Sequence, residues 1–150
     1  MPFEAIAFDA DDTLWNAEIL YQNAQSRLSE MLSPWAAGAD LDETLFETEM
    51  RNLPLYGYGV KAFVLSMIET AIKVSEGEIS AEEIAEIIQL GRSMLEAEIS
   101  LRPHVIETLQ TLSETHRLMV ITKGDLLDQT VKVERSGLAS FFFAIEVVNE

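Results

Sequence analysis

"FDADDTLW", residues 8–15, places three carboxylates within four positions, Asp9, Asp11 and Asp12, directly after the run "FEAIAF" at 3–8. No basic residue occurs among the first fifteen. A short apolar run that ends on charge reads as a buried parallel strand. Like charges this close repel, and burying them uncompensated is costly. Acidic crowding at the end of a strand therefore asks for a cation, or for chemistry that uses it.

Outward from this stretch the period changes to helical. Leu20, Ala24, Leu28 and Met31 share one face, up to "SPW" at 33–35. Asp40 and Glu43 have the spacing of a capping box and open a second helix through Leu41, Leu45 and Met50. "NLPLYGYG" (52–59) interrupts with Pro54, Gly57 and Gly59. A third helix carries Val60, Phe63, Val64, Met67, Ile68, Ala71 and Ile72 on one side and stops near Gly77. Ser80 and Glu83 form a second capping box, with Ile84, Ile87, Ile88, Met94 and Leu95 following. Pro103 suits the first turn of a fifth helix, whose Val105, Ile106, Leu109 and Leu112 face inward. "RLMVIT" (117–122) is a second buried strand. A helix from about Asp125 to Ser136 ends at Gly137, and "FFFAIEVV" (141–148) is a third strand.

The order is strand, four helices, helix, strand, helix, strand, which implies an α/β fold with a parallel sheet. A crossover needs one helix rather than five. Residues 16–100 are therefore read as an inserted helical domain, and residues 1–15 and 101–150 as the α/β core.

Composition narrows the function. The formal charge of −16 on 150 residues repels nucleic acid and anionic membrane surfaces. No apolar run reaches the length of a membrane helix, and the acidic N-terminus lacks the basic region of a signal peptide, so a cytoplasmic location is expected. With no cysteine, disulfides, thiolate metal sites and a cysteine nucleophile are excluded.

In open α/β sheets ligands bind beyond the carboxyl ends of the strands. Asp9 ends the first strand and Thr122 the second, so both converge on that crevice. A carboxylate there can attack phosphorus and form an aspartyl-phosphate. The attack needs a divalent cation to offset anionic repulsion, a group to protonate the leaving alcohol, and donors for the transferring oxygens. Asp9 suits the nucleophile and metal ligand, and Asp11, two residues on, the acid/base. The Thr122 hydroxyl and the N–H groups of Lys123 and Gly124 suit phosphate at a helix N-terminus. An oxygen-rich site selects a hard cation such as Mg²⁺.

"FDADDTLW" resembles motif I of the haloacid dehalogenase-like (HAD) superfamily, DxDx[TV] after an apolar strand, and "LMVITKGD" (118–125) resembles its motif II. The helical insert is similar to the type 1 (C1) cap of subfamily I, which includes phosphoglycolate phosphatase-like enzymes. The resemblance implies a Rossmann-like parallel-sheet core, incomplete at the C-terminus, with an α-helical cap. It implies Asp9 as nucleophile, Asp11 as acid/base, Mg²⁺ held by Asp9 and the main-chain carbonyl of Asp11, and phosphate held by Thr122. The substrate class is a small phosphorylated metabolite. Family dehalogenases lack the second carboxylate of motif I, so Asp11 favours phosphoryl transfer over a 2-haloacid dehalogenase.

Two departures stand out. Position 12 is usually Gly in the phosphatases and is Asp here, which either adds charge near the metal or caps the turn. The motif III lysine and the motif IV acids have no counterpart up to Glu150, so the sequence reads as the first part of a longer enzyme with weak or absent activity of its own. Lys123, beside Thr122, is a candidate substitute for that lysine. An inactive fragment or pseudoenzyme with a binding or assembly role is the alternative, and self-association through an unfinished sheet is expected. A phospho-acceptor receiver domain is disfavoured by the long insert.

Overall fold

The computed structural model describes residues 3–36 and 38–148. Its elements follow in the order β1 (Ala5–Phe8), α1 (Glu18–Leu32), α2 (Gly38–Tyr56), α3 (Val60–Val74), α4 (Ala81–Glu96), α5 (Val105–Ser113), β2 (Arg117–Lys123), α6 (Leu126–Arg135), a 3-10 turn (Ala139–Phe141) and β3 (Phe142–Val148). The chain divides into two compact units, Met1–Glu18 with Glu98–Glu150, and Ile19–Ala97.

The first unit is an α/β layer. Its three strands are parallel in the order β1-β2-β3. Phe8 pairs with Val120, Thr122 with Val147 and Lys123 with Val148, so the carboxyl ends of the strands lie together. Ala10, Leu14, Trp15, Val105, Leu109, Leu118, Val120, Val133 and Leu138 form the core. Residues 14–16 run beside 100–102, with Asn16 N donating to Ser100 O at 2.9 Å and Arg102 N to Leu14 O at 2.9 Å.

β1 departs from the sequence reading. It is parallel, as expected, but at the edge of the sheet and half exposed, whereas the continuous apolar run reads as a buried strand. The inward face assigned to α5 is narrower than its apolar residues suggest: Val105 and Leu109 are buried, but Ile106 is 45% exposed. Pro103 precedes that helix rather than entering it, and His104 is the N-cap residue, at φ 65°.

The second unit is all helical, with Leu28, Leu32, Leu41, Leu45, Phe63, Met67, Ala71 and Ile87 at its centre. The Ser80–Glu83 capping box is present, with Glu83 N donating to Ser80 Oγ at 3.1 Å and Ser80 N to Glu83 Oε2 at 2.8 Å. α2 is longer than expected at both ends. It starts at Gly38, two residues before Asp40, and it continues through Pro54 to Tyr56. A proline so near the C-terminal end withholds one backbone donor but need not end the helix. Gly57 N closes the last turn on Leu53 O at 2.9 Å. Ile72 is exposed, outside the apolar side the sequence suggests for α3. Among the described residues no helix is long and apolar enough to cross a membrane.

Candidate active site

The carboxyl edge of the sheet opens into a cleft of about 390 Å³ lined by Asp9, Asp11, Ile121, Thr122, Lys123 and Val148. Four of the five residues singled out in the sequence, Asp9, Asp11, Thr122 and Lys123, thus meet in one place. Asp9 and Asp11 follow β1, while Thr122 and Lys123 are the last two residues of β2. Thr122 is buried, and its hydroxyl donates to Lys123 O at 3.3 Å. The fifth residue, Gly124, forms the β2–α6 turn and is not among those lining the cleft. Its φ of 134° favours glycine, and a Cβ there would stand 2.7 Å from Gln129 Nε2.

The two catalytic candidates differ in their surroundings. Asp9 is exposed, and its side chain makes no hydrogen bond or ion pair among the described residues. Asp11 is surrounded by donors. Its Oδ1 accepts from Trp15 Nε1 at 2.8 Å and from Lys132 Nζ at 3.3 Å, and its Oδ2 accepts from Gln129 Nε2 at 2.9 Å. Lys132 also pairs with Asp128 at 3.3 Å. Burial pushes the Asp128 carboxyl above the usual carboxylate range, an effect that Lys132 partly offsets. Trp15, Asp128, Gln129 and Lys132 were not singled out from the sequence. The available signal was polar side chains on the inward face of α6, beside Val133.

Asp12 has a different task from its neighbours. It adopts φ 60°, which the glycine usual at that position would take without strain. Its carboxylate accepts from Ala17 N at 2.9 Å and from Glu18 N at 3.1 Å, at the start of α1. Of the two roles open to Asp12, the structure favours capping.

Both motif I acids supply hard oxygen donors suited to a divalent cation. Among the described residues no group of three or more His, Cys, Asp or Glu is close enough to hold a metal alone. That donor set suits Mg²⁺, which keeps several waters and is bound through one or two carboxylates plus substrate phosphate.

Residues 3–149 match the family model described as "Hydrolase: haloacid dehalogenase-like hydrolase". Among solved structures, a haloacid dehalogenase-like family hydrolase from Xanthomonas campestris is 39% identical, with a TM-score of 0.92 over 98% of this chain and 62% of that one. A predicted phosphoglycolate phosphatase from Haemophilus somnus is 18% identical, with a TM-score of 0.60 over 98% and 63%. A 2-haloacid dehalogenase from Pseudomonas syringae is 24% identical, with a TM-score of 0.59 over 96% and 63%. The last two show a shared fold. The chain thus spans under two thirds of the length of each of these relatives. No curated protein matches it closely enough to count.

Proposed function

The chain belongs to the haloacid dehalogenase-like hydrolase family, and from that premise we propose a Mg²⁺-dependent phosphohydrolase that acts on a small phosphorylated metabolite through an aspartyl-phosphate. The observation that carries the reading is the meeting of two motif I carboxylates with Thr122 in one cleft at the carboxyl edge of the sheet.

In this reading an Asp9 oxygen bonds to phosphorus as the bond from phosphorus to the leaving oxygen breaks, and Asp11 passes a proton to that oxygen. Asp11 then takes a proton from water as the water oxygen attacks phosphorus. The bond from Asp9 to phosphorus breaks, and inorganic phosphate leaves. Thr122 and Lys123, which line the cleft, hold the transferring oxygens. When bound, Mg²⁺ held by Asp9 and the Asp11 carbonyl supplies charge that offsets repulsion between the nucleophile and an anionic substrate. Residues 16–100 serve as the cap.

A dehalogenase also uses a carboxylate nucleophile, so the choice between the two rests on Asp11. A proton-transfer carboxylate is needed for an alkoxide leaving group and not for a halide. Self-association through β3 belongs to the same proposal: β3 pairs with β2 on one side and exposes Phe143 and Val148.

The test is release of p-nitrophenol from p-nitrophenyl phosphate with Mg²⁺, alongside chloride release from 2-chloropropionate. Phosphatase turnover lost in Asp9→Asn and Asp11→Asn, with no chloride release, is the expected outcome. Turnover that survives Asp9→Asn, or chloride release that outpaces phosphate release, rejects the reading.

A further inference from the structure

α6 buries side chains that a helix serving only the fold would not. Gln129 is 2% exposed and Lys132 is 7% exposed. Lysine is almost never this buried unless paired. Asp128, one turn earlier on the same helix, supplies one partner for Lys132 at 3.3 Å. The ammonium nevertheless also reaches Oδ1 of Asp11 at 3.3 Å, 121 positions away in the chain. Gln129 is placed at a cost. Its Nε2 donates to Oδ2 of Asp11 at 2.9 Å and to Lys123 O at 3.2 Å, while its Oε1 is buried with no hydrogen-bond partner among the described residues. Gly124 leaves the space this amide occupies, since a Cβ there would meet Nε2 at 2.7 Å. A buried acceptor left unsatisfied and a glycine with φ 134° are departures from good packing that functional sites tolerate.

We infer that Gln129 and Lys132 are positioning residues that fix the orientation of the Asp11 carboxylate, each holding a different oxygen, with Trp15 as the third support. The inference rests on the proposed role of Asp11 in proton transfer. Neither residue is among those lining the cleft, whereas Asp11 is. Both act through Asp11, and substrate affinity is set elsewhere.

The experiment compares Lys132→Met, Lys132→Arg and Gln129→Met with the parent chain, each checked for folding by circular dichroism. The first readout needs neither turnover nor metal: solvent exchange of the two tryptophan indole protons, followed by ¹⁵N-resolved NMR. The Trp15 indole is bonded to Asp11 and the Trp35 indole to Glu78 in the other unit, which makes Trp35 an internal reference. Exchange at Trp15 should rise about tenfold or more in Lys132→Met and Gln129→Met, stay near the parent rate in Lys132→Arg, and stay unchanged at Trp35 in all three. The second readout is p-nitrophenyl phosphate hydrolysis with Mg²⁺, where kcat should fall about a hundredfold in the two Met variants with KM little changed. Folded Met variants whose Trp15 exchange matches the parent overturn the inference. So does a change carried by KM with kcat intact. If Lys132→Met does not fold, Gln129→Met decides on the same readouts. Activity that persists in Asp11→Asn removes the proton-transfer role of Asp11. Activity lost in Asp11→Asn but retained in both Met variants removes only the positioning role.

Discussion

The indole Nε1 of Trp15 donates to Oδ1 of Asp11 at 2.8 Å, joining a side chain that is 1% exposed to a carboxylate that faces the cleft. The two residues are four positions apart on one turn, and Thr13 N and Leu14 N both donate to Ala10 O within it. The turn that presents the acid is thereby anchored in the core of the α/β unit. Trp15→Phe keeps much of the apolar volume and removes the donor. It should cost about 2 kcal/mol in urea denaturation, the scale of a hydrogen bond to a charged group. An unchanged midpoint would show that the bond contributes nothing to the fold.

Asp12 combines a left-handed backbone with a capping side chain. Asp12→Ala loses the cap and keeps the unfavourable φ, so it should destabilise by about 2 kcal/mol. Asp12→Gly loses the cap but relaxes the backbone, and should cost less than half as much. Thermal melts of the pair check the ranking, and an Ala variant as stable as the Gly variant would contradict it.

Gly124→Ala should destabilise by about 2 kcal/mol through the φ of 134° and the approach to Gln129. Gln129→Ala in the same chain clears the contact but not the backbone strain. The double variant should therefore recover part of the loss attributable to Gly124→Ala, as a double-mutant cycle of denaturation midpoints will show. Strict additivity would mean that the contact carries no energy.

The buried Asp128 carboxyl sits above the usual carboxylate range, through desolvation first, with Asp11 and Asp125 adding to the rise and Lys132 opposing it. A carboxyl raised in the folded state favours folding most when protonated. Its contribution is fully present below the unfolded pKa and is lost as pH rises through the folded one. The stability of the parent chain relative to Asp128→Asn should therefore increase as pH is lowered from neutral into the carboxylate range. Parallel denaturation curves across pH for the two proteins test the sign, and a difference that shrinks on acidification contradicts it.

Much of this was legible in the sequence because it lies in short stretches. The end of the first strand at Phe8, the end of the second to within one residue at Lys123, the acids between Asp9 and Asp12, and the Ser80–Glu83 box each declare themselves within a few residues. The parallel order followed from the helices between strands. The exposure of β1 did not, because an apolar run is the same string at an edge as at the centre of a sheet. The persistence of α2 through Pro54 depends on how close that residue is to the end of the helix, which spacing alone leaves open. The supports of Asp11 were hidden for a different reason. Gln129 and Lys132 read as ordinary polar residues of an amphipathic helix until the fold brings them to a partner more than a hundred positions away.

In the proposed reaction the carboxylate of Asp9 becomes covalently bonded to phosphorus. The chain is incubated with acetyl phosphate and Mg²⁺ and then reduced with borohydride, which converts an aspartyl-phosphate to homoserine, and the modified position is located by peptide mass spectrometry. Homoserine at position 9, absent from Asp9→Asn, is the predicted result; homoserine at another acid, or an unmodified Asp9 in the folded chain, would contradict it.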